Sequence, residues 1–384
     1  MGNSQAVRQR VLVPSSGVRI PLPQPNETYF SICAIFFKLY NDDIKYRPVS
    51  TLLSINQSLF MTQKKPVVFI TRPIPQNGIA MLKKHFTVRL RKVNSPIPKK
   101  ELEKEIQNCT ALLTILTDKI DGKIMDLNPN LKVISNFAVG FDNIDISAAS
   151  KRGIAVGNTP GVLTQSTAEH TLALILALMK RIVEGQKIME RNAFCGWGPL
   201  YMLGKELYKK TIGVVGFGRI GVRLAEIAYY GFGCNILYDN PSVNKKMEHA
   251  IHAKHVKLAT LLKKADVVSL HVPLLPHTHH LIGKKELSLM KKTAYLINTA
   301  RGAVVDEKAL LSALKKGQIA GAGLDVFECE PSRTAGLEKL NNVVMVPHTG
   351  SATVEAREGM AQVAAQNIIG ILKKGAKPVS IVNA

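Results

Sequence analysis

TIGVVGFGRIGVRLAEIAYYG, residues 211–231, decides how the chain is read. TIGVV is a β-branched run that reads as a strand, RIGVRLAEIAYYG carries a helical pattern, and Gly216, Gly218 and Gly221 stand at the turn between them. In such a strand–turn–helix setting Gly216 permits the tight turn, Gly218 lets the backbone approach a pyrophosphate, and Gly221 allows the helix to pack closely. The helix N-terminus supplies unpaired N–H groups. Glycines that only shape a corner would give the same letters. Asp239 weighs against that reading, because it ends CNILYD 18 residues beyond Gly221. A carboxylate there accepts hydrogen bonds from a ribose 2′-hydroxyl and repels a 2′-phosphate, which favours NAD over NADP. Lys245 and Lys246 follow closely and soften that preference, so NADP stays open.

Outward from this turn, short apolar runs alternate with helical stretches in two series. The first holds VVFIT (67–71), FTVRL, ALLTILT (111–117) and LKVISNFAV (131–139), with helical NGIAMLKKH and ELEKEIQ between them. The second opens at Thr211 and predicts six strands: TIGVV, CNILYD, DVVSLHVP, AYLINTA, AGAGLDVF and VVMVPH, with one helix expected around 245–263. Strands alternating with helices imply βαβ units, so the fold class is α/β with parallel sheets in two Rossmann-like domains. Between the two series, Ser166 and Thr167 are placed as caps of an apolar helix reaching Ile182, expected to lie buried between domains. A last helix, about Val354 to Leu372, falls after the second sheet is complete and is expected to return to the first domain.

Composition narrows the function. The chain of 384 residues is 46% hydrophobic and 21% charged, which suits two folded domains plus an extension. Lys and Arg outnumber Asp and Glu 51 to 28, but the lysines come as dispersed pairs without interleaved aromatics, so solvated faces are favoured over nucleic-acid binding. The five cysteines are scattered and contain no C-x-x-C pair, which points to a reducing compartment, the cytoplasm, rather than to disulfides or a zinc ribbon. No apolar run reaches the roughly 18 to 20 residues of a membrane span. His249, His252 and His255, and again His277, His279 and His280, invite a metal hypothesis; no carboxylate trio accompanies them in sequence, and no metal is expected. Residues 1–61 read as an extension that is unstructured or not native. An Arg-rich, acid-poor composition suits a transit peptide, and GVRIP (17–21) is also what the T-arm sequence of a transfer-RNA gene would encode, which would put the true start at Met61.

Taken together, GFGRIG (216–221), HVPL (271–274), LINTARG (296–302), GAGLDVFECEP (321–331) and PHTGSAT (347–353) resemble the D-isomer-specific 2-hydroxyacid dehydrogenases in order and spacing. AVGFDNID (138–145) and NTPGVLTQSTAEH (158–170) are similar to the same family, so the likeness covers about residues 65–384. It implies a flavodoxin-like substrate domain (62–160 plus 350–384), an NAD-binding Rossmann domain (161–349) and an active site in the cleft between them. Reducing a 2-oxo acid needs a hydride donor, a cation for the carboxylate and a proton donor for the developing alkoxide. By the resemblance, Arg301 holds the carboxylate, His348 is the acid/base and Glu330 is its acidic partner, chosen over nearby Glu328. Backbone N–H groups of Val139 and Gly140 also bind the substrate carboxylate. Arg219 and Ile220 sit on the pyrophosphate, His271 and Pro273 border the adenosine, Thr299 and Asp325 line the nicotinamide, and Ala300 and Gly350 complete the cofactor set.

VFITRPIPQNGIAML, LTDKID, GPLYMLGKELYKKTIG and SATVEAREGMA are, within the family, most similar to glyoxylate and hydroxypyruvate reductases. Asp239 departs from several of these, which carry a neutral or basic residue there. The stretch after the last motif is expected to be too short for the regulatory domain of long phosphoglycerate dehydrogenases, favouring a small substrate, with the loop around Trp197 and Tyr201 helping to set its size. D-3-phosphoglycerate, D-lactate, phosphite and 2-ketogluconate dehydrogenases are the alternatives, and an NAD-sensing corepressor-like binding protein is the rival of another class. A homodimer through the helices around 165–185 is expected from the family.

Overall fold

The structure, a computed structural model, describes residues 65–383; the expectations for residues 1–61 lie outside them. The first series forms a five-stranded parallel sheet: β1 (Val67–Ile70), β2 (Thr87–Leu90), β3 (Ala111–Thr114), β4 (Val133–Asn136) and β5 (Ala155–Gly157), in the order β2-β1-β3-β4-β5. Helices α1 (Gln76–Lys83), α2 (Lys99–Ile106), α3 (Gly122–Asp126) and α4 (Ile146–Lys151) make the crossovers. Alternate residues feed the two faces: Val68 and Ile70 enter one apolar cluster, and Phe69 enters the other. ALLT and VISN are buried along their whole length because helices cover both faces, as a parallel sheet requires.

The second sheet has seven parallel strands: β6 (Thr211–Val215), β7 (Asn235–Asp239), β8 (Lys254–His255), β9 (Val267–Leu270), β10 (Tyr295–Asn298), β11 (Gly321–Leu324) and β12 (Val343–Met345). Their order is β12-β11-β10-β9-β6-β7-β8. The strand order reverses between β6 and β9, and that crevice, at the carboxyl ends, is where a doubly wound sheet binds its ligand. Six strands were expected; the seventh, β8, spans two residues and is too short to show a period. It also divides the helix expected over 245–263. His252, at φ +52°, ends α8 (Lys245–Ile251), and α9 (Leu258–Lys264) begins after the edge strand.

Helix α5 (Thr164–Met179) corrects the capping assignment. Ser166 and Thr167 lie inside its first turn, and the Ser166 hydroxyl donates to the Gly350 carbonyl at 2.9 Å. A tertiary partner has taken the group that sequence reasoning assigned to a cap. The helix stops before Ile182 because Arg181 adopts φ +54°, and α6 (Ile182–Glu190) starts a new direction. Rather than lying between two sheets, α5 packs chiefly on the second, against β10, β11, β12 and α7 (Arg219–Phe232). Helices α10 (Lys284–Leu289) and α11 (Glu307–Lys315) complete that layer.

The closing helix, α12 (Val354–Leu372), packs on the first sheet. Ala356, Met360, Ala364 and Ile368 recur every four residues and are buried in the β1/β3/β4 cluster. Its approach to α1 is close enough that a Cβ at Gly78 would come 2.5 Å from the Ala361 carbonyl oxygen. Ser135 Oγ donates to the Ala364 carbonyl at 2.9 Å, and Asn367 Nδ2 donates to the Asn158 carbonyl at 2.9 Å. These bonds tie the end of the chain back to the start of the fold.

Candidate active site

The three glycines of the opening stretch are held by three different constraints. Gly216 has φ +90°, and a Cβ there would lie 2.7 Å from the His271 backbone, so both conformation and space demand glycine. A Cβ on Gly221 would lie 2.4 Å from the Gly216 carbonyl oxygen, which is the close helix–strand packing read from sequence. At Gly218 an added Cβ would meet no protein atom within 4 Å. Protein packing therefore does not demand glycine there, and the open space leaves room for a ligand to approach the backbone. Gly218 also precedes α7 without side-chain capping, which leaves the first-turn N–H groups at Arg219 and Ile220 facing the same space. These residues fit a dinucleotide pyrophosphate.

Asp239 sits beside this turn, in register with Val215, and burial raises its carboxyl above the usual range against the opposing pull of His255. Lys245 and Lys246 open α8 and are exposed. His271 follows β9. Its ring is hydrogen-bonded to Ser269 Oγ at 2.8 Å, and burial pushes it down to about 4, so it is neutral near pH 7. Pro273, two residues on, is exposed at the rim. His271, Gly218, Arg219 and Ile220 share a cavity of about 150 Å³ with Val139, Pro160, Gly161, Leu163 and Thr164, so the glycine turn faces the first sheet across a cleft. A larger cavity, about 420 Å³, lies at the opposite ends of the strands beside Arg181, Tyr295 and Asn342 and contains none of the expected site residues.

Across the cleft, the Val139 carbonyl accepts from Asn158 Nδ2 and the Gly140 carbonyl from Asn136 Nδ2, both at 2.8 Å. The N–H groups of Val139 and Gly140 have no acceptor among the described residues, which leaves two donors for a carboxylate. Arg301, just beyond β10, closes on Gly140. Its Nη2 is 1.6 Å from where a Gly140 Cβ would be, so glycine is required for the guanidinium to settle there. Nε donates to Asp142 Oδ1 at 2.9 Å, and Nη1 donates to the Ala300 carbonyl at 2.8 Å. Asn298 braces the turn by accepting from Ala300 N at 3.1 Å and donating to the Arg301 carbonyl at 2.9 Å. Asp142 was not singled out in the sequence, although it lies in AVGFDNID and is the acid nearest to Gly140 along the chain.

Glu330 and His348 meet from different loops, with Nδ1 at 3.1 and 2.9 Å from the two carboxylate oxygens. Phe327 N donates to Glu330 Oε1 at 3.1 Å and fixes the acid. His348 has φ +54°, uncommon for a residue with a Cβ, and its N–H is anchored to the Asp325 carbonyl at 2.8 Å. With Nδ1 engaged, Nε2 is the ring nitrogen without a partner among the described residues. Asp325, only 1% exposed, accepts from Thr349 N at 2.6 Å and Gly350 N at 2.9 Å. His170 Nε2 stands 3.2 Å from Asp325 Oδ1 without an aligned hydrogen bond. Burial would raise the Asp325 carboxyl, but His170 and the two N–H donors outweigh it and hold the group below its usual range. Both oxygens of this carboxylate, expected to line the nicotinamide, accept from backbone neighbours, and His170 beside it is a neighbour that the sequence did not disclose. Thr299 is nearly buried, with its hydroxyl 3.0 Å from that of Thr171.

The histidine clusters separate. His249, His252 and His255 fall on a helix, its left-handed end and the edge strand. At the other cluster a carboxylate does arrive: Glu328 Oε1 is 2.5 Å from His280 Nε2, from 48 residues away. The sequence showed no Cys or carboxylate trio beside these histidines, and the one carboxylate that reaches them does so only through the fold.

A glycine turn between β6 and α7, with an arginine after β10 and an imidazole–carboxylate pair from the loops after β11 and β12 of the same sheet, defines a dinucleotide-binding oxidoreductase. Residues 172–350 match the family model of the D-isomer specific 2-hydroxyacid dehydrogenase, NAD binding domain. Over 323 residues, 83% of this chain and 97% of the relative, the sequence is 51% identical to the glyoxylate reductase of Thermococcus litoralis. The chain belongs to the D-isomer-specific 2-hydroxyacid dehydrogenase family. Among solved structures it is similar to the D-lactate dehydrogenase of Aquifex aeolicus complexed with NAD and lactic acid, with TM-score 0.72, 32% identity, and 83% and 99% of the two chains covered. The NADPH-dependent glyoxylate/hydroxypyruvate reductase of Sinorhizobium meliloti, in complex with NADP and malonate, superposes with TM-score 0.73 at 28% identity, covering 83% of this chain and 97% of that one. Among the described residues no helix is long and apolar enough to cross a membrane.

Proposed function

We propose that the protein reduces a small 2-oxo acid, glyoxylate or hydroxypyruvate, to glycolate or D-glycerate, using NADH in preference to NADPH. The observation that carries this reading is the convergence at Gly140, where the Arg301 guanidinium closes on a backbone whose Val139 and Gly140 N–H groups have no acceptor among the described residues. Planar cation and paired N–H donors together suit one carboxylate and fix its orientation. Bound NADH supplies the hydride to the carbonyl carbon. His348 donates a proton from Nε2 to the oxygen as it gains charge, and takes it back in the oxidation direction. Glu330 holds Nδ1 and so aims Nε2 at the cleft. Asp239 supports the cofactor preference, since a carboxylate at the end of β7 would accept from a ribose 2′-hydroxyl and repel a 2′-phosphate. The relatives named glyoxylate reductase support the substrate class.

In this reading residues 62–160 and 350–384 form the substrate half and 161–349 the NAD half, consistent with α12 packing on the first sheet. Two copies associate through the α5/α6 region, where Ile182 is 58% and Met189 61% exposed. The four free cysteines among the described residues accord with a cytoplasmic enzyme. Steady-state reduction of a panel of 2-oxo acids with both cofactors tests the proposal. The expected result is the highest kcat/KM for glyoxylate or hydroxypyruvate with NADH; a higher value with NADPH would overturn the reading of Asp239, and no turnover across the panel would overturn the reductase.

A further inference from the structure

We propose that His279, His280 and Glu328 form a surface site for a divalent zinc-like cation beside the loop that carries Glu330. One ligand atom from each residue lies within 4.8 Å of the other two. Two imidazoles and one carboxylate are a ligand set that zinc accepts, at bond lengths of about 2.0–2.2 Å, with a fourth position left to water. Closing the group around an ion requires ligand atoms to move by about 1 Å, and His279 is exposed and free to turn.

An ordinary His–Glu ion pair would need only His280, whose Nε2 is already 2.5 Å from Glu328 Oε1. The additional feature is His279, stacked on His280 with ring centroids 4.1 Å apart and planes inclined by 31°. Two protonated imidazoles would repel at that distance, whereas a shared cation binds both neutral rings. The backbone holds the group in place. His280 N donates to the Ala303 carbonyl at 2.8 Å, and Glu328 N donates to Glu307 Oε1 at 2.6 Å. Although the chain as a whole is strongly basic, Glu307 contacts Glu328 and Glu330 stands two residues beyond it. A cation is therefore not opposed locally by the net charge. Glu328 stands two residues before Glu330, so occupancy of the site pins the loop that positions the imidazole partner.

Calorimetric titration of the full chain with Zn²⁺ alone tests the site. One equivalent should bind at the cluster, and His279→Ala and Glu328→Gln should each weaken that binding at least tenfold, while His249→Ala leaves it unchanged. His279 is exposed, so its replacement decides the question even if the Glu328 variant does not fold. Titration with Co²⁺ should show no thiolate-to-metal charge-transfer band. Zinc binding that is absent from the parent chain, unaltered in both variants, or accompanied by a thiolate band that assigns the ion to Cys195 or Cys329 would overturn the proposal.

Discussion

Replacing Gly140 with Ala separates carboxylate binding from folding. Gly140 is not in the left-handed region, so its backbone accepts a side chain, but the new Cβ would lie 1.6 Å from Arg301 Nη2 and 2.6 Å from Cζ. The obstructing atoms are the far end of a flexible side chain, and the guanidinium must leave. It would break the 2.9 Å bond to Asp142 and withdraw from Gly140. Hydrogen bonds to charged groups contribute about 1.5–3 kcal/mol each, so losing a two-point grip on substrate removes about 3–6 kcal/mol. At about 1.4 kcal/mol per decade, kcat/KM for glyoxylate should fall roughly 10²- to 10⁴-fold. The fold should change by no more than about 1–2 kcal/mol in urea unfolding, because only the half-buried Arg301 side chain is displaced. NADH affinity, measured by fluorescence titration, should stay within a few-fold of the parent. A Gly140→Ala enzyme retaining kcat/KM within threefold would show that the Arg301–Gly140 convergence does not hold the substrate.

His348→Gln keeps a hydrogen-bonding side chain but cannot deliver a proton. kcat should fall at least about 10²-fold with NADH binding preserved, and surviving turnover would exclude His348 as the donor. Gly216→Ala puts a Cβ 2.7 Å from the His271 backbone at φ +90° and should cost about 3 kcal/mol or more in urea unfolding; a loss below 1 kcal/mol would show that the turn is not so constrained. His271, pushed down to about 4, binds its proton more readily when unfolded, so stability is full above pH 6.5 and declines as pH falls toward 4, by up to about 3 kcal/mol. The His271→Gln variant should show a shallower decline over that window, and an equal slope would place the titration elsewhere.

The sequence by itself determined the elements whose cause is local. Gly216, Gly218 and Gly221 could be assigned distinct jobs because a strand, a tight turn and a helix follow one another within the same stretch, and Asp239 follows at the end of the neighbouring strand. The family motifs named Arg301, Glu330 and His348, and the fold brings Glu330 to His348 at 2.9 Å. Tertiary structure decided whatever depends on a partner distant in sequence. Ser166 looked like a cap until the Gly350 carbonyl, 184 residues away, took its hydroxyl. Asp142 gained its role only when Arg301, 159 residues on, lay against it. His279 and His280 lacked a carboxylate until the loop after β11 delivered Glu328. Local propensity acts over a few residues, whereas a buried or charged side chain is satisfied by whatever the packed chain places within about 3 Å of it. That second choice belongs to the fold.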